Sequence, residues 1–287
     1  MIKISWLRII ILVGGVFILP AIYSAAFADD NFPQGARSGG MGNAYIALGE
    51  DAVSIYHNPA GLMLLTGISA DIFLGSPGLP FPENWSMFFA KPAIVGDRIG
   101  LGVIHQVRNI DSKTYRSYQV IVPTTLAFSK RILTGLNLKY VMQKSGNLSF
   151  KSKMSADYGM LYNRGIFRMG LALRDLVDLK MSSFPQNLIA GFALNFNLLK
   201  IEVDKSVEAW DEINTDSENI RIGVELNPMD VLSLRAGLDR TGVAELRTVG
   251  FTISNIINSI RFEYCLQFAS DDYQNGTHWI SYNYLVF

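Results

Sequence analysis

Ile260-Arg261-Phe262-Glu263-Tyr264-Cys265-Leu266-Gln267-Phe268 alternates in step: large apolar side chains at even positions; Arg261, Glu263, Gln267 and the small Cys265 at odd ones. Successive side chains of a strand point to opposite faces, so this stretch has one greasy and one mostly polar face. A helix would scatter the same residues around its circumference. The rhythm recurs along the chain. Leu136, Leu138, Tyr140 and Met142 oppose Asn137, Lys139 and Gln143. Phe167, Met169, Leu171 and Leu173 oppose Arg168 and Arg174, and Leu199, Ile201 and Val203 oppose Lys200, Glu202 and Asp204. Ile220, Ile222, Val224 and Leu226 oppose Arg221 and Glu225, while Leu232, Leu234 and Leu238 oppose Arg235 and Asp239.

Extending this reading from 66 to 287 predicts about fourteen strands, each close to the length that crosses a bilayer at a tilt. They fall near 66–74, 84–91, 98–107, 116–129, 134–144, 153–162, 166–174, 186–194, 198–205, 219–227, 231–239, 246–253, 259–268 and 277–287. Their connections alternate. Gly75–Glu83, Arg108–Tyr115, Ser145–Ser152, Asp175–Pro185, the acidic Ser206–Glu218 and Ala269–Gly276 read as the longer ones. Lys130–Leu133, Asn163–Gly165, Asn195–Asn197 and Pro228–Asp230 read as tight turns. A membrane barrel alternates in this way, with short periplasmic turns and longer external loops. A secreted β-sandwich or β-helix also has alternating strands, but no reason to alternate loop lengths.

Composition agrees. Apolar residues make up 49% and charged residues 17% of the 287, against about 25% charged in soluble domains. After the first thirty residues nothing approaches the roughly 20 apolar residues of a spanning helix. The N-terminus reads as a secretory signal. Lys3 and Arg8 precede the apolar run Ile9–Ile22, and Ala26-Phe27-Ala28 is a small-x-small cleavage pattern, giving a mature start at Asp29. The mature chain then carries 23 basic and 25 acidic residues, which leaves no basic surface for nucleic acid. Cys265 is the only cysteine and has no partner for a disulfide or a metal site.

Residues 29–65 break the rhythm. They hold Gly35, Gly39, Gly40 and Gly42, a helix-permitting stretch near Asn43–Glu50, and then Tyr56-His57-Asn58-Pro59-Ala60-Gly61-Leu62. Proline pushes Asn58 out of the α region, and Gly61 loosens the exit. A barrel of about fourteen strands is too wide for its own side chains to fill. Irregular backbone at membrane depth needs the shielding of protein or water. Both needs are met by a plug with one short helix. The expected organisation is therefore a signal peptide at 1–28, a plug at 29–65 and a transmembrane antiparallel β-barrel at 66–287.

Gly39-Gly40-Met41-Gly42-Asn43-Ala44, then Asp51-Ala52, then Asn58-Pro59-Ala60-Gly61-Leu62, resembles the N-terminal signature of FadL-like outer-membrane barrels. That superfamily comprises long-chain fatty-acid and hydrocarbon transporters and the PorV/PorQ group tied to secretion. The resemblance implies a fourteen-stranded barrel with an internal hatch, Asn58-Pro59-Ala60 against the inner wall, and a hydrophobic ligand leaving sideways between strands.

Pro123 lies mid-strand at inward parity, where proline's missing N–H marks either a local opening in the wall or a plain bulge. Leu79 and Phe81, set between prolines, read as a small apolar lip. The lumen-parity charges named above, with Asp157, Arg261 and Glu263, have mixed signs on neighbouring strands. They read as a pairing network that holds wall and plug together. Leu285 and Phe287 fit a barrel's terminal strand and Trp279 an interfacial aromatic, with Ser281 and Asn283 interrupting the parity. His57, His105 and His278 lie in separate segments, and no catalytic, phosphate-binding or dinucleotide motif is present. The functional expectation is a non-enzymatic, cofactor-free, plugged passive channel for small hydrophobic molecules in a bacterial outer membrane. The alternative is a non-transporting PorV/PorQ-like scaffold that binds secretion-machinery proteins.

Overall fold

The computed structural model describes residues 34–76, 84–93, 97–110, 113–146, 148–177, 186–208, 219–240, 245–254, 259–269 and 272–286. Fourteen strands form one closed barrel in which every strand pairs antiparallel with its sequence neighbours and β1 pairs with β14. The first seven are β1 (Ile68–Ser76), β2 (Asn84–Pro92), β3 (Arg98–Ile110), β4 (Lys113–Ala127), β5 (Ile132–Ser145), β6 (Lys151–Arg164) and β7 (Phe167–Arg174). The others are β8 (Asn187–Asn195), β9 (Leu199–Glu208), β10 (Ile220–Met229), β11 (Leu232–Arg240), β12 (Leu246–Ile253), β13 (Ile260–Ala269) and β14 (Asp272–Val286). Among the described residues closure leaves no second sheet, so the sandwich reading is excluded.

The alternation becomes an inside and an outside. Ile72, Met87, Leu101, Val122, Leu138, Met169, Phe192, Ile222, Leu234 and Val249 are exposed on the outer face. Gln119, Asn137, Lys139, Asp157, Glu202, Glu225, Asp239 and Glu263 are buried on the inner one. A monomer in water rarely exposes a contiguous apolar patch above a few hundred Å². A belt around the whole circumference calls for lipid, which makes this a membrane barrel.

Two expected long connections are something else. β3 reaches Ile110 and β4 starts at Lys113, while β13 ends at Ala269 and β14 starts at Asp272, so only two residues separate the strands of each pair. Above a bilayer neither face of a hairpin needs to be apolar. The hydrophobic rhythm therefore fades while the backbone ladder continues. β3 to β6 run to 13–15 residues against 8–10 for β7 to β13, which raises one side of the wall.

The C-terminal parity is the reverse of the expectation. Trp279 is only 2% exposed; it stacks on Phe73 inside the barrel and donates to Gln267. Ser281 and Asn283 are buried on the same inner face, and Leu285 packs against the plug. Tyr282 and Tyr284 share the opposite parity, so Ser281 and Asn283 follow the rule rather than interrupt it. The bulk of Trp279 suggested lipid; the glycine facing it, Gly75, is what gives it room indoors. Leu79, Phe81, Phe287 and the signal segment lie outside the described residues.

Candidate functional site

Residues 34–65 fill the barrel. They form α1 (Ala36–Gly40), α2 (Ser54–His57) and a 3-10 helix (Pro59–Leu64), nearly all buried. The expected helix at Asn43–Glu50 does not form. Asp204 accepts from the backbone N–H groups of Tyr45 (2.9 Å) and Ile46 (3.3 Å), and Glu202 from those of Ala47 and Leu48. Two wall carboxylates thus take amides that a helix would bond internally. Gly42 and Asn43, with φ of 62° and 59°, turn the chain just before.

The motif residues sit where plug backbone meets wall backbone. Gly39 and Gly40 end α1, and Gly40 lies against Arg235 and Gly250. Gly42 adopts its left-handed turn against Leu238, and its N–H donates to Thr248 (3.1 Å). Asn58 caps the 3-10 helix by accepting from Ala60 N–H (3.1 Å). Its amide donates to the carbonyls of Ile46 (2.8 Å) and of Met160 on β6 (3.2 Å). Pro59 and Ala60 press on Gly135, and Gly61 abuts the Gly49 carbonyl.

Sequence reading missed the receiving surface. Three glycine pairs stand directly across neighbouring strands: Gly135 and Gly159, Gly170 and Gly191, Gly223 and Gly237. Each accepts one plug segment. A β-carbon on Gly135 would lie 2.5 Å from the Pro59 carbonyl carbon, one on Gly170 2.5 Å from the Ile46 oxygen, and one on Gly223 2.5 Å from the Met41 oxygen. The legible signal was glycine at inward parity on adjacent strands.

Charge holds one side of the plug. Arg37 forks onto Glu225 (2.9 and 3.1 Å) and also reaches Glu50 and Asp51 (3.3 Å each). Glu50 takes Lys200 (2.9 Å) and Arg168 (3.2 Å), and Glu225 takes Arg235 (2.7 Å) and Lys200 (3.2 Å). Burial alone would raise the Glu50 carboxyl; Lys200, Arg37 and Arg168 outweigh it and hold it at about 2. Lys139 binds Asp157 (2.9 Å) and Asp175 (2.6 Å), and Arg221 binds Asp239 (3.3 Å), which also accepts from Asn43. Arg174 instead stacks over Tyr56 and donates to the His57 carbonyl. A polar cavity of ≈ 430 Å³ beside this network, lined in part by Lys200, Arg261, Glu263 and the turn residues Asn197 and Asp230, opens at the short-turn rim.

The other side is greasy. Ala52, Val53, Ile55, Leu62 and Leu65 of the plug pack with Phe88, Ala90, Ile104 and Ile121 of the wall. Pro123 borders this cluster, buried and facing inward. The β3–β4 ladder pairs Gly102 with Ile121, is interrupted, and resumes at Ile99 with Thr124. The register is the same on both sides, so no bulge is present; the ladder simply lapses where proline lacks its N–H. Ile55 sits behind this break. β-carbons built on Gly100 and Gly102 would lie 3.0 and 3.3 Å from it.

The histidines stay apart. His57 is buried in the plug, its pKa driven down by burial and then by Arg174 and Arg221. His105 stacks on Tyr118, and His278 bonds the Tyr264 hydroxyl (2.6 Å).

No protein-family model matches the chain, and no curated protein matches it. Solved structures do. The CymD monoaromatic hydrocarbon channel aligns with TM-score 0.64 and 12% identity over 88% of this chain and 97% of that one. The P. putida toluene transporter TodX gives 0.62 and 12% over 88% and 98%. A Pseudomonas aeruginosa FadL homologue gives 0.58 and 10% over 92% and 99%. At such identity the likeness is one of fold, and the fold is that of a FadL-like barrel closed by an N-terminal plug.

Proposed function

We propose that the protein is a plugged passive channel for small hydrophobic molecules in a bacterial outer membrane, with residues 29–65 as its hatch and a sideways exit at Pro123. The observation that carries this reading is the continuous apolar contact from the plug, through Ile55, to the interrupted β3–β4 ladder. The axial route at the short-turn rim passes the charged cavity instead, which suits neither an apolar solute nor its desolvation. The named cargo of CymD and TodX, monoaromatic hydrocarbons and toluene, is the first class to try. In liposomes, the intact chain should speed toluene entry without raising ion conductance, and deletion of Gly39–Gly61 should raise conductance. Toluene entry no faster than in empty liposomes refutes the channel; unchanged conductance after the deletion refutes the hatch.

A second reading, a PorV/PorQ-like scaffold without transport, is favoured by the close packing of Ile55 against the break. Stoichiometric co-purification of a secretion-machinery protein with a solute-impermeable barrel would support it.

A further inference from the structure

We propose that the outer face of β3–β5, near the long-loop rim, binds the phosphate of a membrane glycolipid through Arg116 and Lys144. This rests on the reading of the chain as an outer-membrane barrel. Arg116 and Lys144 are direct cross-strand partners. Both have the outward parity of Tyr118, since Ser117 and Gln119 between and beyond them are buried inside. Like charges directly opposite one another destabilise a sheet. Among the described residues no carboxylate pairs with either; Lys144 has only the Phe150 ring beneath it (5.8 Å). Elsewhere on this rim Arg240 and Arg247 share Glu245. The local sequence supplies no remedy, because between Asp97 and Asp157 the one acidic residue is Asp111, among ten lysines and arginines.

What lies below the pair selects a lipid over a free anion. One rung down, about 7 Å along the strands, Trp85, His105 and Tyr118 stand in register, with His105 stacked on Tyr118 at 4.4 Å. Lower rungs are apolar: Met87, Val103, Val120 and Tyr140, then Phe89 and Leu101. From the rim downward the wall is cationic, aromatic, then oily, which matches phosphate, sugar and acyl chain in that order.

The test uses the full chain in detergent and Trp85-containing fluorescence, with native mass spectrometry counting bound lipid. The probes are a diphosphorylated disaccharide lipid, its phosphate-free form, and inorganic phosphate. Arg116→Gln/Lys144→Gln should weaken the phosphorylated lipid at least tenfold. The phosphate-free form should bind the natural chain as weakly, and Arg240→Gln should change nothing. Equal binding by the double variant, or saturation by inorganic phosphate at the same concentration, overturns the proposal. Should the double variant fail to fold, a salt titration of the natural chain decides: phosphorylated lipid that stays bound at high salt is equally fatal. A chain that stays soluble without detergent and migrates the same boiled or unboiled would instead refute the membrane reading itself.

Discussion

Glu225→Gln should open the plug to ions, and adding Arg37→Met should partly close it again. The reason is a charge count. Arg37, Arg168, Lys200 and Arg235 pair directly with three carboxylates, Glu50, Asp51 and Glu225. Losing Glu225 leaves four cations on two anions in a buried setting. Removing one partner of a buried pair costs about 3–5 kcal/mol, and at about 1.4 kcal/mol per tenfold plug docking falls by roughly 10² to 10³·⁵. Removing Arg37 as well leaves three cations on two anions, the same excess of one cation as in the natural chain, with Asp51 kept by the Tyr45 hydroxyl, so part of that loss returns. Arg37→Met alone leaves Glu225 with Arg235 and Lys200 and Glu50 with Lys200 and Arg168, so Asp51 is the one carboxylate that loses its cation. Single-channel conductance in planar bilayers reads the plug, while the shift on boiling confirms the barrel. If the double variant conducts at least as much as Glu225→Gln, the bidentate geometry matters more than the charge balance, and the reasoning fails.

Ile55→Ala should cost about 2–5 kcal/mol of packing and speed toluene entry without added ion conductance; conductance rising in parallel would deny Ile55 a local role. Pro123→Val restores an N–H to the lapsed ladder and should slow toluene entry, measured in the same liposomes. Gly135→Ala with Gly159→Ala should displace Asn58–Ala60 at about 1–3 kcal/mol per overpacked site, seen as protease cleavage within the plug. Glu50, held at about 2 against an ordinary 4.5, contributes stability that is complete above pH 4.5 and lost as pH falls toward 2. Conductance block should therefore weaken as pH falls from about 4.5 toward 2, and Glu50→Gln should lessen that dependence.

The wall was legible because lipid outside and polar groups inside impose the strictest alternation a chain can carry. β12 was placed at 246–253 from sequence and stands at Leu246–Ile253. Legibility stopped where that constraint stops. Above the membrane β3, β4 and β14 continue without an apolar face. Inside, Trp279 is large and apolar yet indoors, because an aromatic facing Gly75 needs no lipid. Of the mixed-sign lumen charges, Arg168, Lys200 and Glu225 pair with the plug, whereas Lys139 with Asp157 and Arg221 with Asp239 pair within the wall. Glu202 and Asp204 gave no hint that their partners would be the bare amides of Tyr45–Leu48, since backbone has no sequence code. The glycine pairs show in the sequence only as glycine at inward parity on adjacent strands; what each receives does not, because it is backbone.

The plug's two sides differ in what can replace them, and in the proposed channel that difference would let a stopper also be a passage. On the β7–β11 side, any displacement strands an ion pair at about 3–5 kcal/mol each, and water offers only partial relief in a narrow space. On the β2–β4 side, withdrawing Ile55 forfeits about 1.5–3 kcal/mol of apolar burial if water follows. If a hydrophobic solute follows instead, most of that surface stays covered and the cost largely vanishes. The same motion is therefore expensive for an ion and cheap for a hydrocarbon. Selectivity then needs no pore of fixed size, only a plug tethered by charge on one side and leaning on grease at the other, beside a stretch of wall whose ladder is already interrupted.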